Sequence, residues 1–314
     1  MPGERVLIVG CGRIAGGYNE ADEQAVLTHA VAYRRLGASL VGCCDVDADR
    51  AQRFARRWQV ERWGTDLGQL LADCQPEVVS VCTPPVGRLP QVRVAVEAPS
   101  VRAVLVEKPL ATNGAEARAI QALAGKPLLV NFPRAFDPFY LRLQREAGAG
   151  TLGPLRQGVA RYYGPALTNA THWIERLLAM FGPPRTARRT GGTVREPILE
   201  LDFAGAEVLL LPTVECQYAP FELELLFERQ RLRVIDSERR AEHFQSMPDP
   251  AFPGFFNLVR TPAWDGAAPS HEAVGQSVEA ALRLAAGQPI EVDWRALLER
   301  AATTVGILES AGAQ

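Results

Sequence analysis

Residues 10–15, Gly-Cys-Gly-Arg-Ile-Ala, form a G-x-G-x-x-A turn at the end of the apolar run 5–10. In such a turn the first glycine permits a sharp reversal and the second lets main chain approach a pyrophosphate. The small last residue lets the following helix pack on the strand. The N–H groups at the start of that helix face the phosphates. Gly10, Gly12, Arg13 and Ile14 are therefore candidates for holding a dinucleotide. Asp45 closes the next apolar run, 39–46. A carboxylate there can accept from both hydroxyls of an adenosine ribose and repels a 2′-phosphate. It lies farther from the glycines than the usual spacing of about 20 residues, because GGYNEADEQAVLTHAVAY stretches the connection. NAD is the expected cofactor, and NADP stays open because Arg50 and Arg53 lie close by in sequence.

Of the 34 basic residues only Lys108 and Lys126 are lysine. Lys108 stands in Glu107-Lys108-Pro109, which ends the apolar run 101–107. Ligands of open α/β sheets bind at the carboxyl ends of strands. A lysine whose pKa is lowered there can exchange a proton, whereas arginine cannot. The competing reading of Lys108 is a salt bridge or a solvated strand end. Lys126 reads as an exposed residue leading into a strand. Thr83-Pro84 closes the run 77–82 at the same level of the sheet.

These residues need a sheet to bring them together. Strands are expected at 5–10, 39–46, 77–82, 101–107 and 126–132. Helical stretches should run from the glycine turn to about Arg35, then over 48–58, 88–97 and 115–124. Short apolar strands alternating with helices predict a parallel sheet covered on both faces. Beyond residue 132 the period changes to two over 155–163, 197–203, 206–212, 221–228 and 230–236, which predicts an antiparallel or mixed sheet. A helix is expected over 172–181, and two more over 271–286 and 294–310. The Pro-, Phe- and Gly-rich segment 243–270 reads as a loop that covers a site.

A chain of 314 residues is long enough for two domains. With 47% apolar residues it can bury a core, and its net charge of −2 excludes a strongly basic, nucleic-acid-binding face. No apolar run reaches the ~20 residues that cross a bilayer, and no secretory leader is expected at the N-terminus. The six cysteines show no C-x-x-C spacing, so reduced thiols and no metal site are expected.

The segments GCGRIAGG, Asp45, Thr83-Pro84, VLVEKPLA, NFPRAFDP and THWIERL followed by FGPP occur in order. Together they resemble the glucose-fructose oxidoreductase / inositol dehydrogenase / MocA (Gfo/Idh/MocA) family over nearly the whole chain. The resemblance implies an α/β protein in two parts. Residues 1–132 would be a Rossmann domain with a doubly wound parallel sheet. Residues 133–314 would be an α+β domain for substrate binding and oligomerisation, with an open, mostly antiparallel sheet. It implies NAD(P)-dependent oxidation or reduction at a carbinol or carbonyl carbon of a sugar, cyclitol or nucleotide sugar. A biosynthetic role and a cytoplasmic homodimer or homotetramer, free of nucleic acid and membrane, are expected. The runs AEVLLLPTV and FELELLF point to association through the open sheet face.

Within the resemblance, Lys108 contacts the reacting hydroxyl and moves its proton, and His172 shares that proton. Thr83, Pro84 and Glu107 fall on the cofactor side. Arg134 and Asn169 fall where substrate is bound or oriented. The family acid four residues before His172 is Thr168 here, with Asn169 beside it. Glu175, one helical turn after His172, is expected to orient the imidazole. Val86-Gly87-Arg88 stands where the family has a histidine after Thr-Pro. His29 is read equally as packed under the sheet or near a ligand. Two other functions fit the same fold: imine reduction in a biosynthetic pathway, and a non-catalytic, dinucleotide-sensing regulator.

Overall fold

The computed structural model describes residues 3–19, 24–213, 216–264, 266, 268–269 and 273–313. The chain folds into two compact units, Met1–Phe136 with His271–Val305, and Asp137–Ser270 with Gly306–Gln314.

The first unit begins with β1 (Arg5–Val9), α1 (His29–Arg35), β2 (Ser39–Cys44), α2 (Ala48–Trp58), β3 (Arg62–Gly64) and α3 (Leu67–Cys74). It continues through β4 (Val78–Val81), α4 (Leu89–Glu97), β5 (Ala103–Glu107), α5 (Gly114–Gln121) and β6 (Leu128–Asn131). The six strands are parallel, in the order β3-β2-β1-β4-β5-β6, the order of dinucleotide-binding sheets. β4, β5 and β6 are buried along their whole length, as strands with helices on both faces must be. Asp47, Asp66 and Asn113 start α2, α3 and α5 by accepting from main-chain N–H groups of the first turn. The Lys108–Pro109 bond is cis.

The expected long helix after the glycine turn does not form. Residues 13–16 form turns and Gly17–Asn19 a short 3₁₀ helix instead, with the N–H groups of Gly16 and Gly17 both reaching the Gly12 carbonyl. The physical cause is the pair Gly16-Gly17. A Cβ on Gly16 would lie 2.2 Å from Trp58 Nε1, so close packing on α2 demands glycine, which is a poor helix former. The helix restarts only at α1, capped by Thr28. β3 and α3 lie in 59–76, where the sequence pattern predicts no element, because a three-residue strand is too short to show a period.

The second unit holds α6 (Pro138–Gly148), β7 (Leu155–Tyr163), α7 (Ala170–Phe181), β8 (Thr186–Gly192), β9 (Pro197–Phe203) and β10 (Ala206–Thr213). It continues with β11 (Glu222–Phe227), β12 (Gln230–Ile235), β13 (Arg240–Pro248) and β14 (Phe256–Thr261). The eight strands run β14-β13-β12-β11-β7-β10-β9-β8, antiparallel except for the β7–β10 pair. One face of each central strand enters the core: Leu199 and Leu201, Val208 and Leu210, Leu223 and Leu225 are buried with Trp173, Ile174 and Leu177 of α7. Segment 243–270, expected as a covering loop, instead supplies most of β13 and all of β14. Its residues 265, 267 and 270 lie outside the described part.

Two further elements, α8 (Ala273–Ala285) and α9 (Trp294–Ser310), complete the chain. The sequence boundary puts everything after residue 132 in the second domain. In the fold the first stretch instead closes at Phe136, and 271–305 returns to the first unit. The cause is packing of α8 on α1, β5 and β6, including a hydrogen bond of 2.7 Å from Ser277 Oγ to Asn131 Oδ1.

Candidate functional site

Every residue assigned to cofactor from the sequence lines one cleft of about 670 Å³ in the first unit: Gly10, Gly12, Arg13, Ile14, Asp45, Thr83, Pro84 and Glu107. Lys108 lines it too. The cleft opens at the carboxyl ends of β1, β2, β4 and β5, because each of those strands stops at a turn residue on the same level. Gly10 has φ +87°, and a Cβ there would lie 2.8 Å from the Thr83 main-chain nitrogen. The turn after β1 therefore packs directly against the turn after β4. Gly12 is the opposite case: a Cβ on it meets nothing within 4 Å, so this glycine leaves cleft space open to a ligand. A bare main-chain turn bordering open space is the cradle a pyrophosphate requires.

Asp45 is buried rather than a solvated strand end. Its Oδ2 accepts from the Cys11 N–H at 2.8 Å, and its Oδ1 accepts from the Asp47 N–H at 3.0 Å and from Arg50 at 3.3 Å. The carboxylate thus ties the glycine turn to the end of β2. A carboxylate offers about four acceptor positions, so capacity remains for a ribose hydroxyl. Arg50, the arginine that keeps NADP open, also borders the cleft, as do Thr65, Leu67 and Tyr18, which were not assigned from sequence. Thr65 and Leu67 follow β3, whose brevity hid them.

At the other end of the cleft, burial pushes the Lys108 ammonium down to about 8. Glu107 opposes that shift, and the Arg134 and Arg88 guanidinium groups reinforce it. Arg134 lies in a 3₁₀ turn, Pro133–Ala135, directly after β6, and so acts on Lys108 from the neighbouring strand.

Glu107 borders the cleft, but its carboxylate is engaged beneath the sheet end. Oε1 receives His29 Nε2 at 2.8 Å and Asn131 Nδ2 at 2.5 Å. His29 Nδ1 lies 3.2 Å from Ser80 Oγ, which is 2.7 Å from the Tyr33 hydroxyl. His29 is fully buried, which decides between its two sequence readings in favour of packing. Burial opposes charge on the imidazole, but the neighbouring Cys82 thiol and Glu107 carboxylate outweigh it and raise the pKa to about 10. Burial likewise opposes charge on Glu107, and His29, Asn131 and Lys108 hold its carboxyl below the usual range. Both shifts favour the charged forms of the two hydrogen-bonded partners.

In the second unit, His172 sits on the first turn of α7, almost fully buried, with the Phe221 ring edge-on at 6.0 Å. Phe221 stacks on Trp173 at 4.4 Å. Asn169 occupies the N-cap position of α7 and donates its side-chain N–H to the Tyr163 carbonyl. Glu175, expected to orient His172, is fully buried, and its oxygens accept from Arg176 at 2.6 and 2.7 Å. Among the described residues no group of three or more His, Cys, Asp or Glu is placed to hold a metal ion, and no helix is long and apolar enough to cross a membrane.

The strand order, the glycine turn and the cleft together define a Rossmann unit built for a nicotinamide dinucleotide, followed by a unit with a large open sheet. Residues 4–130 match the oxidoreductase family described as GFO_IDH_MocA, NAD-binding Rossmann fold. A myo-inositol dehydrogenase, Hyg17 of Streptomyces leeuwenhoekii, is 32% identical over 152 residues, covering 47% of this chain and 42% of that protein. The matched stretch is thus less than half the length of that relative. UDP-N-acetylglucosamine 3-dehydrogenase GnnA from Acidithiobacillus ferrooxidans superposes with a TM-score of 0.75 at 19% identity, covering 99% of both chains. A levoglucosan dehydrogenase in complex with NADH and levoglucosan superposes with a TM-score of 0.72 at 18% identity, covering 98% of this chain and 97% of that one. At these identities the two structures share the fold.

Proposed function

We propose that this chain is an NAD-dependent dehydrogenase or reductase acting at a carbinol or carbonyl carbon of a sugar, cyclitol or nucleotide sugar. The observation that carries the reading is Lys108. It lies in the dinucleotide cleft at the carboxyl end of β5, with its pKa lowered to about 8. Near neutral pH both its protonation states are then populated, as a group that takes and returns a proton requires. The inositol dehydrogenase relative and the sugar-directed names of the structural neighbours support the substrate class.

Gly10, Gly12 and Arg13 would hold the pyrophosphate, and Asp45 the adenosine ribose. NAD, when bound, supplies the hydride acceptor at nicotinamide C4. In the oxidative direction neutral Lys108 accepts the hydroxyl proton as the C–H hydride leaves; in the reductive direction the ammonium donates it to the carbonyl oxygen. His172 is assigned the supporting proton-transfer role on the family resemblance.

The test is NADH formation at 340 nm with NAD and a panel of myo-inositol, scyllo-inositol, levoglucosan and UDP-N-acetylglucosamine. Turnover with at least one polyol is expected. No turnover with any of them, together with reduction of a cyclic imine such as 1-pyrroline, would replace this reading by imine reduction.

A further inference from the structure

Arg88 differs from the chain's surface arginines. It is 1% exposed, on the turn that leads into α4. Its guanidinium donates to main-chain carbonyls: Nη1 to those of Glu107, Pro109 and, at 3.4 Å, Leu110, and Nη2 to that of Thr83. A buried charge is costly unless its donors are met; here four carbonyls meet the two Nη groups, while the buried Nε has no hydrogen-bond partner among the described residues. Only a planar fork with several fixed donors spans such a set; a lysine has one nitrogen.

The position of those carbonyls matters more than their number. Glu107 and Pro109 flank Lys108 in the chain, and Thr83 follows β4, the strand paired with β5. One guanidinium therefore clamps the main chain on both sides of Lys108 and ties it to the turn at 83–85. Arg88 borders the same cleft as Lys108. The charged groups of the unit that act on Lys108 are Glu107, Arg134 and Arg88, with His29 behind Glu107.

We propose that Arg88 is the positioning residue of this site: it holds the backbone around Lys108 and so fixes where the lysine ammonium points. The proposal rests on the reading of Lys108 as the proton-transfer group. It assigns a task to a residue that, from sequence, only fills the place of a missing histidine. Arg88 also places a fixed positive charge beside the lysine. Burial lowers its own pKa to about 10, so it remains charged at neutral pH.

The test exploits the fact that the chain has only two lysines. Trace acetic anhydride is applied across a pH series, and acetylation of Lys108 and Lys126 is read by peptide mass spectrometry. Lys126, whose ammonium donates to the Ala98 carbonyl, is the internal standard. In the wild type Lys108 is expected to label with a midpoint near 8 and to be protected by NADH. In Arg88→Met the midpoint should rise by about one pH unit as the neighbouring cation is lost. Its high-pH labelling rate should increase severalfold as the side chain is freed. Arg88→Lys keeps a charge without the fork. It should leave the midpoint within a few tenths of a unit but raise the plateau rate as Met does, and lower kcat more than it raises KM on any substrate the panel identifies. Wild-type midpoint and plateau in either folded, NADH-binding variant would overturn the proposal. Labelling needs no turnover, so a failed substrate panel would count against the reading of Lys108 and leave this result standing.

Discussion

His29 Nε2 lies 2.8 Å from Glu107 Oε1, and both side chains are buried at the carboxyl end of the parallel sheet. The residue before the candidate catalytic lysine is thus anchored to α1, the helix that follows the stretched glycine turn. The raised imidazole and the lowered carboxyl both favour the charged forms.

Glu107→Gln should destabilise the protein by about 3–5 kcal/mol near neutral pH, because it strands a buried imidazolium. The pH dependence follows from the two shifts. The share carried by raised His29 is complete below about 6.5 and is lost as pH rises through about 10. The share carried by Glu107 is present above about 4.5 and is lost as pH falls through its lower folded value. Urea denaturation of both proteins from pH 4 to pH 10 checks this. Equal stabilities between pH 6 and 8 would mean that the pair is uncharged.

Lys108→Arg should keep NADH affinity and lose turnover by roughly 10²–10⁴-fold, the usual worth of general acid–base assistance. Arginine preserves the charge but cannot release a proton near neutral pH. His172→Ala should cost less than this if lysine alone completes the transfer, and as much if the two act as one relay. Steady-state kinetics with fluorescence titration of NADH separates these outcomes. A Lys108→Arg protein with normal turnover and an unchanged pH profile would reduce the lysine to a positioning cation.

NAD should bind more tightly than NADP, because Asp45 lines the cleft at the end of β2, where a carboxylate is expected to accept from the ribose hydroxyls and repel a 2′-phosphate. Asp45→Ala should weaken NAD by about tenfold or more, the worth of a lost hydrogen bond to a charged group. Part of that loss would come from releasing the Cys11 N–H of the glycine turn. Calorimetric titration of both cofactors checks it. Tighter NADP binding to the wild type would make Arg50, 48% exposed at the cleft edge, the residue that reads the phosphate.

A homodimer or homotetramer is expected through the open face of the second sheet. Leu209, Leu211 and Leu226 lie on that face, half-exposed. Around them stand ion pairs such as Arg231–Glu224 at 2.6 Å and Arg233–Glu242 at 3.0 Å. The face is therefore more charged than the apolar runs predict, since their alternate residues Val208, Leu210, Leu223 and Leu225 are spent on the core. Leu209→Arg should shift the light-scattering mass to that of one chain. A wild-type monomer at micromolar concentration would rule the interface out.

Local chemistry made much of the first unit legible from residue order alone. The glycine turn, Asp45, Thr83-Pro84 and Glu107-Lys108 each end a buried strand. Parallel strands covered on both faces have to be continuous apolar runs, so their ends are visible, and a parallel sheet puts all those ends on one edge. The cleft follows from that. Tertiary packing decided the rest. Gly16-Gly17 read as part of a helix until Trp58 of α2 required their lack of a Cβ. In the sequence Arg88 only stands near the place of a family histidine; the turns at 83 and 107–110 converge on its guanidinium in the fold. Helical spacing pairs Glu175 with His172 one turn away, but it gives no sign of the buried Arg176 guanidinium that donates to both Glu175 oxygens. The return of α8 to the first sheet and the hydrogen bond from Ser277 to Asn131 join residues 146 positions apart. Such pairings have no local signature. A sequence period reports which face of an element is buried, and only the folded chain determines what each buried polar group meets there.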